Sequence, residues 1–467
     1  MPERNRFIPI VIPFFSLLAS QVFAQGPDAA LKAGMRKLMA DEQLSFSIVG
    51  MHVIDTESGR TVFDHNGCVG LLPASSQKVL TSIAALDILG PEFRYVTRFA
   101  YRGEVSSGVL KGPLIVEGDG DPTLGSHRFR QSNPDALEKV LKSSFSSAGI
   151  NRITGGIEGR IAGFEKATIP GGWLWEDIGN YYGAGHGGLN WHENQYELWL
   201  KPGDGEGKPV GILRTDPLLQ GETFDNGLTS GKGDSGDQAF LYFKPGSPEL
   251  VVRGTVPCCT GTFRIAGAVM DPSLFAVRQL ARLAGVEGGA VVVHPAAALR
   301  PDETKTLLVH RSPSLDSINH GFLQKSVNLF GEAFIHTLAQ KRKGLASFEG
   351  GVEVVRAFWA ERGIDRRAVG IVDGSGLSPQ NRVTAEALAR ALGYAMERPW
   401  FPVFDRAMPV HNGIRMKSGT MGGVRSYAGY SKGRDGRMYA FAVIVNNFSG
   451  SGAAVNRKLW DLLEVLK

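Results

Sequence analysis

The sequence predicts an α+β fold: an antiparallel sheet flanked by helices and interrupted by mostly β insertions. Three observations carry this. Strand-like runs stand towards both ends of the 467-residue chain with helical patterns between them, so the terminal strands can join one antiparallel sheet. From about Tyr95 to Met270 the texture changes to short alternating runs parted by Gly-rich turns, the mark of short strands. The 60 glycines against 24 prolines suit a chain with many turns.

The elements follow in order. Arg4 and Arg6 precede an apolar run from Phe7 to Ala19, and Val22 and Ala24 hold the −3 and −1 positions of a small-residue cleavage site. Residues 1–24 therefore read as a secretory signal peptide. The run is short, broken by Pro9 and Pro13, and followed by no Cys. No later segment is long and apolar enough to span a bilayer. The expectation is export to the periplasm without a stable membrane anchor. Leu31, Met35, Leu38 and Met39 form a helical stripe. SFSIVGMHVID and RTVFDH flank the turn TESG as a hairpin. Pro73 precedes the helix SSQKVLTSIAALDIL, and Gly90 and Pro91 end it.

Residues 98–270 form the expected insertion, between parts of a main domain at 25–97 and 271–467. Within it RFAYRGEV and GVLKGPLIVEG form a hairpin, and NPDALEKVLKSSFSSAGI is a helix with Pro134 in its first turn. Helical periodicity returns at DPSLFAVRQLARLAGV and continues through VNLFGEAFIHTLAQ, GGVEVVRAFWAERG and TAEALARALGYAM. RSYAGYSK and RMYAFAVIVNNF are the closing strands, and AAVNRKLWDLLEVL is the last helix.

Composition excludes several classes. At 43% hydrophobic and 21% charged residues, the chain is neither disordered nor fibrous. The net charge of +5 is spread without a Lys/Arg run or basic–aromatic interleaving, which argues against nucleic-acid binding. Cys68, Cys258 and Cys259 have no metal-site spacing. Adjacent cysteines rarely pair with each other, and whether Cys68 reaches one of them is left open. Asp119 and Asp121 in GDGDPTL read as a tight turn, His186 and His192 as structural, and Gly183-x-Gly185-x-x-Gly188 follows no strand and opens no helix.

The chemistry begins at Ser75. Ser75 and Lys78 are three apart at a helix start and share one face. An amine partly removed from water has a lowered pKa and can take a hydroxyl proton. The helix N-terminus adds free N–H groups where an oxyanion develops. The commonplace alternative is a capping serine with a snorkelling lysine. Two later motifs bear on the choice. Ser326-Val327-Asn328 enters a helix, so hydroxyl and amide can point into one cleft; Lys417-Ser418-Gly419-Thr420 lies in a strand-like run. There the lysine supplies charge, the hydroxyls can hold a carboxylate, and Gly419 lets a substrate backbone approach.

In this order the three resemble the Ser-x-x-Lys, Ser-x-Asn, Lys-Thr/Ser-Gly set of penicillin-binding proteins and serine β-lactamases. With PASSQKVLT, GDGDPTL, DGSGLS and KSGTMGGVRSYAGY, the chain resembles the class C low-molecular-mass D-alanyl-D-alanine carboxypeptidase/endopeptidase family (peptidase family S13). The resemblance implies the serine β-lactamase/DD-peptidase fold and an acyl-serine reaction on peptidoglycan stem peptides, without metal or organic cofactor. β-Lactams would acylate the same serine. It gives Ser75 as nucleophile and Lys78 as proton acceptor. Ser326 and Lys417 become proton shuttles, and Asn328 a ligand of the peptide amide. Ser418 and Thr420 become carboxylate ligands, and the N–H groups of Ser75 and Thr420 an oxyanion hole. Asp177 resembles a contact to a stem-peptide amine, and Met421 a pocket wall. Departures are Val327 in the second motif and Pro379 after DGSGLS, where the family often has Arg; Arg382 stands three residues on. A β-lactamase or esterase using the same site is the alternative, and a wall-binding scaffold with a dead site a third.

Overall fold

The computed structural model describes residues 27–244, 246–294 and 304–467; the expected signal peptide and its cleavage site lie outside them. Among the described residues no helix is long and apolar enough to cross a membrane.

Elements of the main domain are numbered here in chain order. They are α1 (Asp28–Met39), β1 (Ile48–Asp55), β2 (Thr61–His65) and α2 (Lys78–Leu89), then, beyond the insertion, α3 (Leu315–Gln324), α4 (Asn328–Lys343), α5 (Phe348–Ala360) and α6 (Ala385–Met396). The chain closes with β3 (Val410–His411), β4 (Ile414–Met421), β5 (Val424–Lys432), β6 (Met438–Asn446) and α7 (Gly452–Leu463). The sheet order is β2-β1-β6-β5-β4-β3, antiparallel throughout. The expected union of N- and C-terminal strands is the β1–β6 pair, in register from Ile48 against Asn446 to Asp55 against Tyr439.

Both faces of this sheet are covered, and β6 shows how. Phe441, Val443 and Val445 pack with Leu31 and Met35 of α1 and Leu459 and Leu462 of α7. Ala440, Ala442 and Ile444 belong to the opposite core with Leu388 and Leu392 of α6. The period of two sends successive side chains to opposite layers. Helix α2 lies in that second core and is buried through most of its length, so it reads as apolar nearly all round. Gly90, at φ 83, ends it by a turn that disfavours side-chain-bearing residues.

The insertion enters along Val96–Tyr101 and leaves along Lys305–Arg311, and these two strands pair, Val96 against Arg311. They lie in a five-stranded sheet with Leu114–Gly118, Ile157–Arg160 and Val291–His294. The expected end at residue 270 is therefore corrected. Helix Pro272–Leu283 buries Phe275, Val277 and Leu280 in the insertion's own core. An amphipathic stripe shows that a helix packs on something, but not on which sheet. The three cysteines are free: Cys68 donates to Glu386 Oε2 at 3.0 Å, and Cys258 and Cys259 sit with sulfurs 3.1 Å apart.

Candidate active site

A cleft of about 540 Å³ lies between the main domain and the insertion. Three segments of the main sheet and its helices supply its floor. Ser75 sits in the tight turn Ala74–Gln77 that leads into α2, and its side chain caps no helix. Ala74, one residue before it, is held at φ 47. That left-handed conformation costs a residue other than Gly on the order of 1–2 kcal/mol, and here it points the next side chain into the cleft. Ser326 is likewise left-handed, at φ 55, just before α4. The helix that follows has no side-chain cap, so neither serine does the capping work that the commonplace reading assigns.

Lys78 is fully buried. Its Nζ lies 2.9 Å from Ser75 Oγ, 2.6 Å from Asn328 Oδ1 and 2.7 Å from the Ser375 carbonyl. The last two partners only accept hydrogen bonds. A neutral amine has two N–H groups and one lone pair. The two acceptors use both N–H groups, and the lone pair is left facing the serine hydroxyl. Burial, reinforced by the charge of Lys417 and opposed by Asp373 and Glu332, holds the Lys78 amine well below its ordinary value. Burial also brings Lys417 down to about 7; its Nζ donates to the Ser418 carbonyl at 2.8 Å.

Asn328 bridges the two halves of the molecule: its Nδ2 donates to the Tyr182 carbonyl of the insertion at 2.8 Å. Both its polar atoms are thus engaged with protein, and its evident work in this arrangement is to orient Lys78. Strand β4 carries Lys417, Ser418, Thr420 and Met421 to the cleft wall. It pairs with β5 along one side, whereas β3 covers its other side only at Ile414 and Arg415. The remaining edge borders the cleft. Gly419 is a correction: it lies off the cleft lining. A Cβ there would stand 2.4 Å from the Pro73 carbonyl and 2.2 Å from Ser426 Oγ. The glycine lets β4 press against the turn that holds Ser75, which fixes nucleophile and strand relative to each other.

Asp177 lines the cleft on the insertion's wall, in the short helix Trp175–Ile178. Burial raises its pKa against the lowering effect of a Tyr182 hydrogen bond. Arg382 is elsewhere, its Nη1 donating to the carbonyls of Pro379 and Asn381.

Three supporting groups were not foreseen. Asp373 of DGSGLS is buried and accepts from Gln77 Nε2, Trp173 Nε1, the N–H groups of Gly376 and Ser378, and Asn381 Nδ2. That knot sets the Ser375 carbonyl that holds Lys78. Glu332 accepts from Gly374 N at 3.0 Å; burial and then Asp373 push it up to about 8. Its place one turn after Asn328, on the same helix face, was a readable signal. Gln77 lies beside the nucleophile in sequence, but its partner is 296 residues away.

The family model described as "D-Ala-D-Ala carboxypeptidase 3 (S13) family" matches residues 31–465. A D-alanyl-D-alanine carboxypeptidase of Actinomadura sp. is 26% identical, over 95% of this chain and 86% of that protein. The D-alanyl-D-alanine carboxypeptidase DacB of Haemophilus influenzae is 24% identical, over 86% of each. The crystal structure of penicillin binding protein 4 from Haemophilus influenzae superposes with a TM-score of 0.75 at 21% identity, covering 92% of this chain and 97% of that one. The fold is therefore that of the penicillin-binding protein.

Proposed function

The chain belongs to the D-Ala-D-Ala carboxypeptidase S13 family, and from that premise we propose that it is a serine DD-peptidase of peptidoglycan stem peptides. The observation that carries the proposal is the Ser75–Lys78 contact, with both N–H groups of a neutral Lys78 occupied by acceptors.

The steps join the contacts around Lys78 to the roles that the resemblance implies for the other residues. Lys78 Nζ takes the Ser75 proton as Oγ attacks the carbonyl of the penultimate D-alanine. The oxyanion is met by backbone N–H groups, those of Ser75 and Thr420, aimed where charge develops. The peptide lies extended along the open edge of β4, as a strand is added to a sheet. Its terminal carboxylate meets the hydroxyls of Ser418 and Thr420 and the charge of Lys417. The proton passes by way of Ser326 and Lys417 to the leaving nitrogen. The C–N bond breaks, and free D-alanine departs, or a cross-linking amine in the endopeptidase reaction. Water then hydrolyses the acyl-serine and restores the hydroxyl. The leader reading adds that the protein works in the periplasm.

A β-lactam presents a carbonyl and a carboxylate in the same relation, so it acylates Ser75. A related structure is described as penicillin binding protein 4 "complexed with novel beta-lactam". Rapid drug turnover needs a carboxylate poised to activate water beside the ester. Among the described residues the carboxylate lining the cleft is Asp177; Asp373 is saturated by hydrogen bonds. This favours the peptidase over the β-lactamase reading.

The test is mass analysis after incubation with a stem pentapeptide and with a cross-linked dimer. Release of D-alanine from the first or monomers from the second is expected. Neither product, with rapid hydrolysis of penicillin instead, overturns the proposal in favour of a β-lactamase.

A further inference from the structure

Cys258 and Cys259 stand outside the cleft lining, in the turn between the insertion's strands Glu249–Pro257 and Phe263–Ala268. Adjacent residues of an extended chain send their side chains to opposite sides, so neighbouring cysteines seldom meet. Here they meet. Cys259 is held in the left-handed region, at φ 63, where a side chain crowds the backbone. The bend brings both side chains to one side, with the sulfurs 3.1 Å apart. A disulfide bond is about 2.05 Å long, so closure asks for a movement of only about 1 Å.

Backbone strain of this kind persists where the surroundings over-determine it. Cys258 N donates to the Gly231 carbonyl at 3.1 Å, and Cys259 Sγ lies 3.5 Å from the Asp204 carbonyl. Those two loops are tied in turn, Gly203 N donating to Ser230 Oγ at 2.8 Å. Cys259 is exposed and Cys258 partly so, and a Cβ added at Gly261 would meet no atom within 4 Å. The pair is thus held together and open to reagents. Cys68 is differently placed. It donates to Glu386, and that carboxylate holds its thiol above the ordinary value.

The geometry points to Cys258 and Cys259 as a redox-active dithiol that closes to a disulfide between neighbouring residues and reopens under excess thiol. The export expected from the leader brings the pair into an oxidising compartment. The oxidant is a disulfide, of a small molecule or of a protein. The neighbouring sulfur holds Cys258 above its ordinary value, so Cys259 attacks first. Its thiolate displaces one thiolate from the oxidant and forms a mixed disulfide. Cys258 then gives up its proton, attacks the Cys259 sulfur and expels the second thiolate. Two protein thiols lose two electrons and two protons, and the oxidant leaves as two thiols. Across a trans peptide the two Cα atoms stand about 3.8 Å apart, short of the range that disulfides prefer. The closed ring is therefore strained, and strained, exposed disulfides are the labile ones.

The test treats the reduced full chain with glutathione disulfide, alkylates the remaining thiols, digests with trypsin and weighs the peptides. Residues 254–264 form one tryptic peptide holding both cysteines. The expected result is that peptide lighter by two hydrogens, with nothing attached and Cys68 alkylated. Cys68→Ser gives the same result, and excess reduced glutathione reverses it. In Cys258→Ser glutathione stays on Cys259, and its release is slower than in the wild type by at least about tenfold, because the attacking thiol held alongside is gone. Acylation by fluorescent penicillin reports that each protein is folded. A wild-type peptide that stays reduced, keeps glutathione, or is joined to the Cys68 peptide or to a second copy overturns the proposal. So does a closed pair that excess reduced glutathione fails to open.

Discussion

Two clusters of buried nitrogen bases sit in this molecule, and they do opposite work. Lys78 and Lys417 line or border the cleft. His186 and His336 lie between insertion and main domain, Nδ1 to Nδ1 at 2.8 Å, and both are buried. Burial depresses all four. In the histidine pair every ring nitrogen has a protein partner. His186 Nε2 faces the Gly120 carbonyl at 2.8 Å, which only accepts, so that nitrogen carries hydrogen. The neutral ring then accepts at Nδ1, and His336 Nδ1 donates. His336 Nε2 lies 3.3 Å from Glu165 Oε1, and Glu165 accepts from Phe348 N. Lys78 differs in one respect: the neutral amine keeps a lone pair aimed at a hydroxyl that opens on the cleft. A lowered pKa therefore does not mark a catalyst; a lowered pKa with one valence left towards substrate does.

The comparison breaks most sharply at Lys78. Lys78→Met should slow acylation by fluorescent penicillin on the order of 10⁴-fold or more, with no loss of thermal stability. Acylation within tenfold of wild type would remove the amine from the mechanism.

Lys417→Met comes next. The folded-state value of about 7 against 10.5 means that the unfolded chain binds more protons between those limits. Stability of the wild type therefore rises across that window, and the burial cost is full at pH 7 and below. The variant should be more stable by on the order of 2–4 kcal/mol near pH 6, after loss of the hydrogen bond to the Ser418 carbonyl, with the gap closing towards pH 10.5. Thermal denaturation across pH checks this; a gap that does not narrow contradicts it.

His336→Leu should do the reverse. It leaves His186 Nδ1 and Glu165 short of a partner and should cost about 1–3 kcal/mol at pH 7.5. The unfolded histidine takes a proton near 6.5, before the folded one does, so the wild type loses stability on acidification through that value. The gap between wild type and variant should therefore narrow below it. Acylation should stay within about threefold of wild type. A large fall in acylation with an unmoved melting temperature would merge the two clusters into one functional unit.

Asp177→Asn is the smallest change. It should lower kcat/KM by about three- to tenfold for a peptide with a side-chain amine at its third residue, as expected of one partly exposed ion pair. A peptide without that amine should show no change, and equal effects on both would remove the contact.

What the sequence could and could not show follows from the range of the contacts. Ser75 and Lys78 are three apart, so helix geometry alone placed them together. The β1–β6 union was legible because strand-like runs, near-continuously apolar in RMYAFAVIVNN and SIVGMHVID, stand towards the two ends of the chain with helices between them. The partners of Asn328 are not local: Lys78 is 250 residues away and Tyr182 is 146. Arg128 of the cleft lining and Glu193 are 65 apart and meet through the left-handed residues 192–194, none of them glycine, for which sequence offers no signal. Gly419 was read as making room for substrate, whereas the room is taken by Pro73 and Ser426. A glycine in a strand announces a close approach, not what approaches. The insertion's reach to Arg311 depends on its pairing with Val96, 215 residues earlier, which periodicity does not encode.

The central claim is that the buried amine of Lys78 takes the proton of Ser75. The direct measurement is the pH dependence of the second-order rate constant for acylation by a β-lactam. A rising limb well below pH 10.5, moved to higher pH by Lys417→Met because the repelling charge is gone, is the predicted result. A limb at the ordinary lysine value, or a rate indifferent to pH down to the carboxylate range, would contradict it.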